Sequence, residues 1–166
     1  MSKRSITLLL VVGAILQTTL PSWTAFGSLE APLITGLIIF IALHTDRSRT
    51  VYAALLAGLL HDAFCPAPLG LSIPFFTVLA IGINWIRDEV FDMPATYAVL
   101  GAGAVIFETL YYALIFKISG LRPISGGLLM LRLAGGLMAG VVVVPLLSLI
   151  ILQLPYFKGR TRSRFI

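Results

Sequence analysis

"TVYAALLAGLLHDAFCPAPLG", residues 50–70, decides how this chain is organised. Its apolar part, 50–64, is about 15 residues long, whereas a helix that crosses a bilayer wants about 20. The run is either a short crossing or a tucked-in segment. Basic residues separate the two, because Lys and Arg are held back on the cytoplasmic side. If the run crosses and the N-terminus is inside, Lys3, Arg4, Arg47, Arg49, Arg87, Lys158, Arg160, Arg162 and Arg164 lie inside. Lys117, Arg122 and Arg132 then lie outside, a split of nine to three. If the run does not cross, Lys3, Arg4, Arg47, Arg49, Lys117, Arg122 and Arg132 lie inside, seven against five. Nine to three is the sharper asymmetry, so six crossings with both termini cytoplasmic is the expected topology.

Composition sets the solvent. Of the 166 residues 58% are hydrophobic and only 11% charged, with a mean hydropathy of +1.01. A soluble domain carries about a quarter charged residues. Twelve Lys+Arg and seven Asp+Glu are too few to cover a soluble surface. The expectation is an all-α integral membrane protein, residues 1–166 forming one domain of six transmembrane helices in a single bundle. The spans read at about 5–22, 30–44, 50–64, 69–86, 95–117 and 130–154. Lys3 and Arg4 before an apolar stretch imitate a signal peptide, but no small-x-small cleavage site follows, so the first span reads as an uncleaved anchor. The polar interruptions "HTDRSRT" (44–50), "RDEVFDMP" (87–94) and "KISGLRPISGG" (117–127) are too short to hold a soluble domain. Pro94 stands where the fifth helix should start, a position where its missing N–H does no harm.

The net charge of +5 and pI near 9.8 do not point to nucleic acid. Lys158, Arg160, Arg162 and Arg164 crowd the last nine residues, directly after an apolar run. Such clusters are drawn to anionic lipid by about 1 kcal/mol per charge, and they anchor topology. The single cysteine, Cys65, excludes an intrachain disulfide.

In this topology the polar residues at depth gather in the outer half. Gln17 falls near the outer end of the first span, and His61 with Asp62 near the outer end of the third. Glu108, in "VIFETLYY" (105–112), lies about 13 Å below Lys117 at 1.5 Å per residue. Arg132 falls just inside the outer end of the sixth span. The inner half reads as nearly all aliphatic. Buried ionisable groups are costly in lipid and therefore face the bundle and find partners. Glu108 has two open readings, a protonated structural contact or a functional acid. Arg132 reads as a side chain reaching for the outer headgroups. Asp62 reads as a cap for the turn through Pro66, Pro68 and Gly70, His61 as a packed neutral histidine, and Gln17 as an inter-helix contact.

Catalysis finds little footing. No HExxH set, Walker or Rossmann loop, or nucleophile beside a base is present, and "HD" offers at most two metal ligands. No cofactor or metal is expected. "AGGLMAG" (134–140) places Gly136 and Gly140 four apart, and "GAGA" (101–104) opens the fifth span. Such spacing lets membrane helices approach closely. "GAGA" reads as internal packing; for Gly136 and Gly140, internal packing and a partner surface both remain open.

"GLLHDAFCPAPLGLSIPFF" (58–76) resembles the central motif of the rod shape-determining protein MreD family: a Gly-Leu-Leu-x-Asp helix end, a short turn, Pro-Leu-Gly and an apolar helix. Gly58, Leu59, Leu60, Asp62, Pro68, Leu69 and Gly70 carry the likeness. Chain length, "ILQTTLP" (15–21) and an acid in the fifth span are also similar. His61 departs from the pattern and inherits no role. The resemblance implies a non-enzymatic subunit of the bacterial cell-elongation machinery in the inner membrane. It would bind the bitopic protein MreC and help couple the MreB cytoskeleton to a RodA-type glycosyltransferase and a class B penicillin-binding protein. It also implies the six-helix fold of the substrate-binding S-components of energy-coupling-factor transporters. The alternative is thus a vitamin- or solute-binding transporter subunit. Such subunits dock through small residues of the first span, where this chain has only Gly13 and Ala14.

Overall fold

The computed structural model of the chain describes residues 1–22, 30–64, 70–90, 93–120 and 125–153. Pro68, Leu69, Cys65 and the basic cluster Lys158, Arg160, Arg162 and Arg164 lie outside the described residues. The fold is all-helical: α1 (Lys3–Thr19), α2 (Leu33–His44), α3 (Arg47–Phe64), α4 (Ser72–Ile86), α5 (Pro94–Ile118) and α6 (Gly126–Gln153). Among the described residues there is no strand. α5 and α6 are each long and apolar enough to cross a membrane.

Local chemistry sets the helix ends. Ser2 caps α1, its Oγ accepting from the Ser5 N–H at 3.2 Å. Pro21 biases Leu20 towards extended backbone, and α1 stops at Thr19, three residues short of the expected end. α5 starts with Pro94 at its first position and ends before Gly120, whose φ of +67° suits a left-handed C-terminal residue. α3 begins at Arg47 rather than at residue 50, because the Asp46 carbonyl accepts from the Arg49 and Thr50 N–H groups. The helix therefore has 18 residues, about 27 Å, and is no shorter than α1.

α2 is the axis of the bundle. Its sequence, LITGLIIFIALH, is apolar on every side, and Ile34 through Leu43 are all buried. A helix without a polar face belongs inside. It packs against all five other helices. Around it α3 pairs closely with α4, and α5 with α6. At Gly140, a Cβ would lie 2.6 Å from the Gly101 carbonyl oxygen, so α5 and α6 touch backbone to backbone. At Gly58, a Cβ would lie 2.6 Å from Ile73 Cα, and α3 and α4 are equally close there.

These contacts settle the open reading of the small residues. Gly136 and Gly140 are buried against Val105 and Gly101 of α5. In this fold they serve internal packing. One expectation also needs correction, that the inner half is nearly all aliphatic. At that end Asn84 donates to the Ala42 carbonyl (3.2 Å) and Arg87 to the Thr45 carbonyl (2.8 Å), while Thr45 Oγ1 donates to Ile41 (2.7 Å). The reason lies in the two-residue link between α2 and α3, which leaves the last carbonyls of α2 in need of donors.

Candidate functional site

At the opposite end of the bundle the polar residues of five helices meet in one layer. Its first part is the corner between α3 and α4. Asp62 sits in the last turn of α3, only 3% exposed, and its carboxylate faces the start of α4. The Gly70 N–H donates to its Oδ2 (2.6 Å), and the Ser72 N–H lies 3.2 Å from each of its oxygens. Ser72 Oγ is also hydrogen-bonded to Oδ1. A carboxylate accepts only, so it matches three donors well. It also sits at the positive end of the α4 dipole. Gly70 turns the chain with φ +98°, in the region that favours glycine.

His61, one residue earlier and 8% exposed, extends the layer sideways. Its Nδ1 is 3.0 Å from Ser72 Oγ and 3.4 Å from the Tyr112 hydroxyl, which is itself hydrogen-bonded to Ser72. The imidazole stacks along Tyr112 and meets Phe76 edge-on. Its Nε2 lies 3.6 Å from Glu108 Oε1, and the Thr35 hydroxyl donates to Glu108 Oε2 at 2.9 Å. Asp62, Ser72, His61, Tyr112, Glu108 and Thr35 thus form a connected set across α2, α3, α4 and α5.

Gln17 repeats the same device at the start of α2. Its Oε1 accepts from the Ile34 N–H at 3.1 Å, and its Nε2 donates towards Glu30 at 3.4 Å. α2 and α4 therefore both begin at this level, and each is capped by a side chain from the end of the preceding helix. Arg132 stands half-exposed on α6, one turn from Gly136.

Of the residues expected to cluster, Gln17, His61, Asp62 and Glu108 lie in this layer. Thr35, Ser72 and Tyr112 were not anticipated. Two signals were there to find: Thr35 and Ser72 are hydroxyl residues in the first turns of apolar helices, and Tyr112 follows Glu108 at i+4, the same helix face. The layer can hold helix ends in fixed register, because nearly every polar atom in it is turned on another. Glu108→Gln should accordingly leave stability almost unchanged, since an amide serves both Thr35 and His61. Glu108→Leu should cost about 1 kcal/mol, the scale of one hydrogen bond between membrane helices. Thermal unfolding in detergent checks both; an equally damaging glutamine variant would show that the charge itself matters.

No family model, curated protein or solved structure matches this chain.

Proposed function

We propose that the chain is a multi-pass bacterial inner-membrane protein with six crossings and both termini cytoplasmic, acting as a non-enzymatic subunit of the cell-elongation machinery like the MreD family it resembles. The observation that carries this reading is the α3–α4 corner. Gly58, Asp62 and Gly70, three residues of the resembling motif, act there as one unit: close helix approach, carboxylate cap and left-handed turn. Membrane placement is supported by the outward-facing side chains. Trp85 is 87% exposed, and Leu8, Val99, Ile118, Met130 and Ile150 also point outward. Apolar surface on that scale is at home in lipid.

In this role the chain binds an MreC-like bitopic protein and, through it or beside it, MreB, a RodA-type glycosyltransferase and a class B penicillin-binding protein. The basic tail holds anionic lipid. The S-component reading draws less support. Gly13 and Ala14, the small residues such a subunit would dock with, are buried, and Gly13 faces Leu37 of α2. Asp62 and Glu108 are engaged within the bundle rather than open to a ligand.

Purification of the tagged chain in mild detergent tests the partner. Recovery of a bitopic coiled-coil protein is expected, and recovery of an ATPase pair would overturn the reading in favour of a transporter. Reporter fusions after residues 48 and 90 should both be cytoplasmic. A periplasmic signal at 90 would mean that α3 does not cross.

A further inference from the structure

Counting donors through the polar layer fixes where its protons sit. Asp62 draws in the Gly70 N–H, the Ser72 N–H and the Ser72 hydroxyl, so its carboxylate is ionised and the serine proton is spent on it. Tyr112 is hydrogen-bonded to the same Ser72 oxygen, and with the serine proton used the phenol supplies that bond. Each hydroxyl has now given the single proton it owns. His61 Nδ1 nevertheless lies 3.0 Å from Ser72 Oγ and 3.4 Å from the Tyr112 oxygen. Only a proton on Nδ1 makes these contacts favourable, which assigns the ring's tautomer.

The consequence falls on the other side of the ring. A neutral imidazole protonated at Nδ1 has a bare lone pair at Nε2, and Nε2 faces Glu108 Oε1 at 3.6 Å. The other Glu108 oxygen is taken by the Thr35 hydroxyl. A bare nitrogen opposite an ionised carboxylate repels it. A proton on either atom makes the contact attractive, as an ion pair or as a neutral acid beside the imidazole. We propose that His61 and Glu108 are a one-proton site, a pH-sensitive joint between α3 and α5 that holds while the shared proton is bound and opposes the two helices once it leaves. The proton belongs to the pair rather than to either residue. The two side chains are 10% and 17% exposed, so the proton exchanges without the bundle opening.

Other charges around the pair are few. α3 contributes Asp62, and α5 contributes the phenols of Tyr111 and Tyr112, the first donating to the Leu71 carbonyl. α4 carries no ionisable residue, and α6 carries Arg132 alone, one turn from Gly136. α1 offers the neutral Gln17, and ahead of α2 stands the exposed Glu30, within electrostatic reach of Glu108. The outward orientation of the site rests on the topology proposed above, whereas the proton count does not.

Unfolding equilibria of the full-length chain in mixed detergent test the site, with Glu108→Gln measured alongside. The amide keeps an acceptor for Thr35 and offers Nε2 an N–H that base does not remove. In mildly acidic buffer the two proteins should unfold alike. In alkaline buffer the native chain alone loses the joint. Its unfolded-to-folded ratio should then rise about fivefold over that of the glutamine variant, the scale of one hydrogen bond between membrane helices. Groups elsewhere titrate in both proteins and cancel in the comparison. A difference that is the same in both buffers, or of opposite sign, would overturn the one-proton site. Nitrogen-15 NMR of the histidines gives a second reading, with His61→Gln identifying the His61 signals. Nδ1 should stay protonated wherever the protein is folded, and a bare Nδ1 would overturn the proton count itself.

Discussion

Gly140→Val should be among the most damaging single changes at the described residues. A Cβ at that position would sit 2.6 Å from the Gly101 oxygen, 2.7 Å from its carbonyl carbon and 2.8 Å from the Ala102 nitrogen. All three obstacles are backbone of the facing helix, so no rotamer change relieves them. Overpacking typically costs about 1–3 kcal/mol, and a backbone obstacle places this case at or beyond the top of that range. The expected result is a large fall in the unfolding midpoint in detergent and little protein in the membrane. Gly103→Ala serves as control. That glycine is exposed with nothing within 4 Å, and alanine there should be neutral or slightly stabilising. A Gly140→Val protein as stable as its parent would refute the close crossing of α5 and α6.

Asp62→Ala should come next. The change strips the acceptor from the Gly70 N–H, the Ser72 N–H and Ser72 Oγ together. A buried donor left without a partner costs about 1–3 kcal/mol. Gly70 is only half-buried, so water can relieve part of the loss there, and about 3 kcal/mol is expected in total. Asp62→Asn keeps one oxygen for the backbone donors but turns an NH2 group towards the corner, so it should lose less than alanine does. Hydrogen exchange localises the effect: the first turn of α4 should exchange faster in the alanine variant, and α6 should not. If alanine and asparagine behaved alike, the carboxylate bonds would not be what holds this corner. Co-purification adds a separate readout, since a variant that stays folded yet no longer recovers the bitopic protein proposed as partner would tie the corner to recognition.

Much of this arrangement was legible in the residues, for reasons that differ by element. Six apolar runs became six helices because each run is long enough to demand a helix and too apolar to be a loop. Their ends shifted where local bonds outweighed hydropathy, as at Pro21 and in the polar first turn of α3. Gln17, His61, Asp62 and Glu108 stood out because a polar group among aliphatic neighbours requires a partner. Who that partner is was hidden. Thr35, Ser72 and Tyr112 are unremarkable in composition, and only the packing of α2, α4 and α5 brings them to Glu108 and Asp62. Gly136 and Gly140 show the other limit: their spacing is the same whether the facing helix belongs to this chain or to another. The lock formed by Asn84, Arg87 and Thr45 was masked because residues flanking a loop read as surface.

If the bundle spans the bilayer as proposed, the buried position of α2 bears on how the protein meets membranes of different thickness. With 12 residues α2 is about 18 Å long, well short of the roughly 30 Å hydrocarbon core. In a helix facing lipid that shortfall would thin the bilayer around it or force a tilt. α2 faces none: Gln17 satisfies its first turn, Asn84 and Thr45 its last, and its sides are covered by protein. Hydrophobic matching therefore falls to the outer helices, above all α5 and α6 with 25 and 28 residues. In lipids of graded acyl length, those two should tilt to follow the bilayer while the axis keeps its length, so the strain of mismatch is carried at the rim and not at the centre.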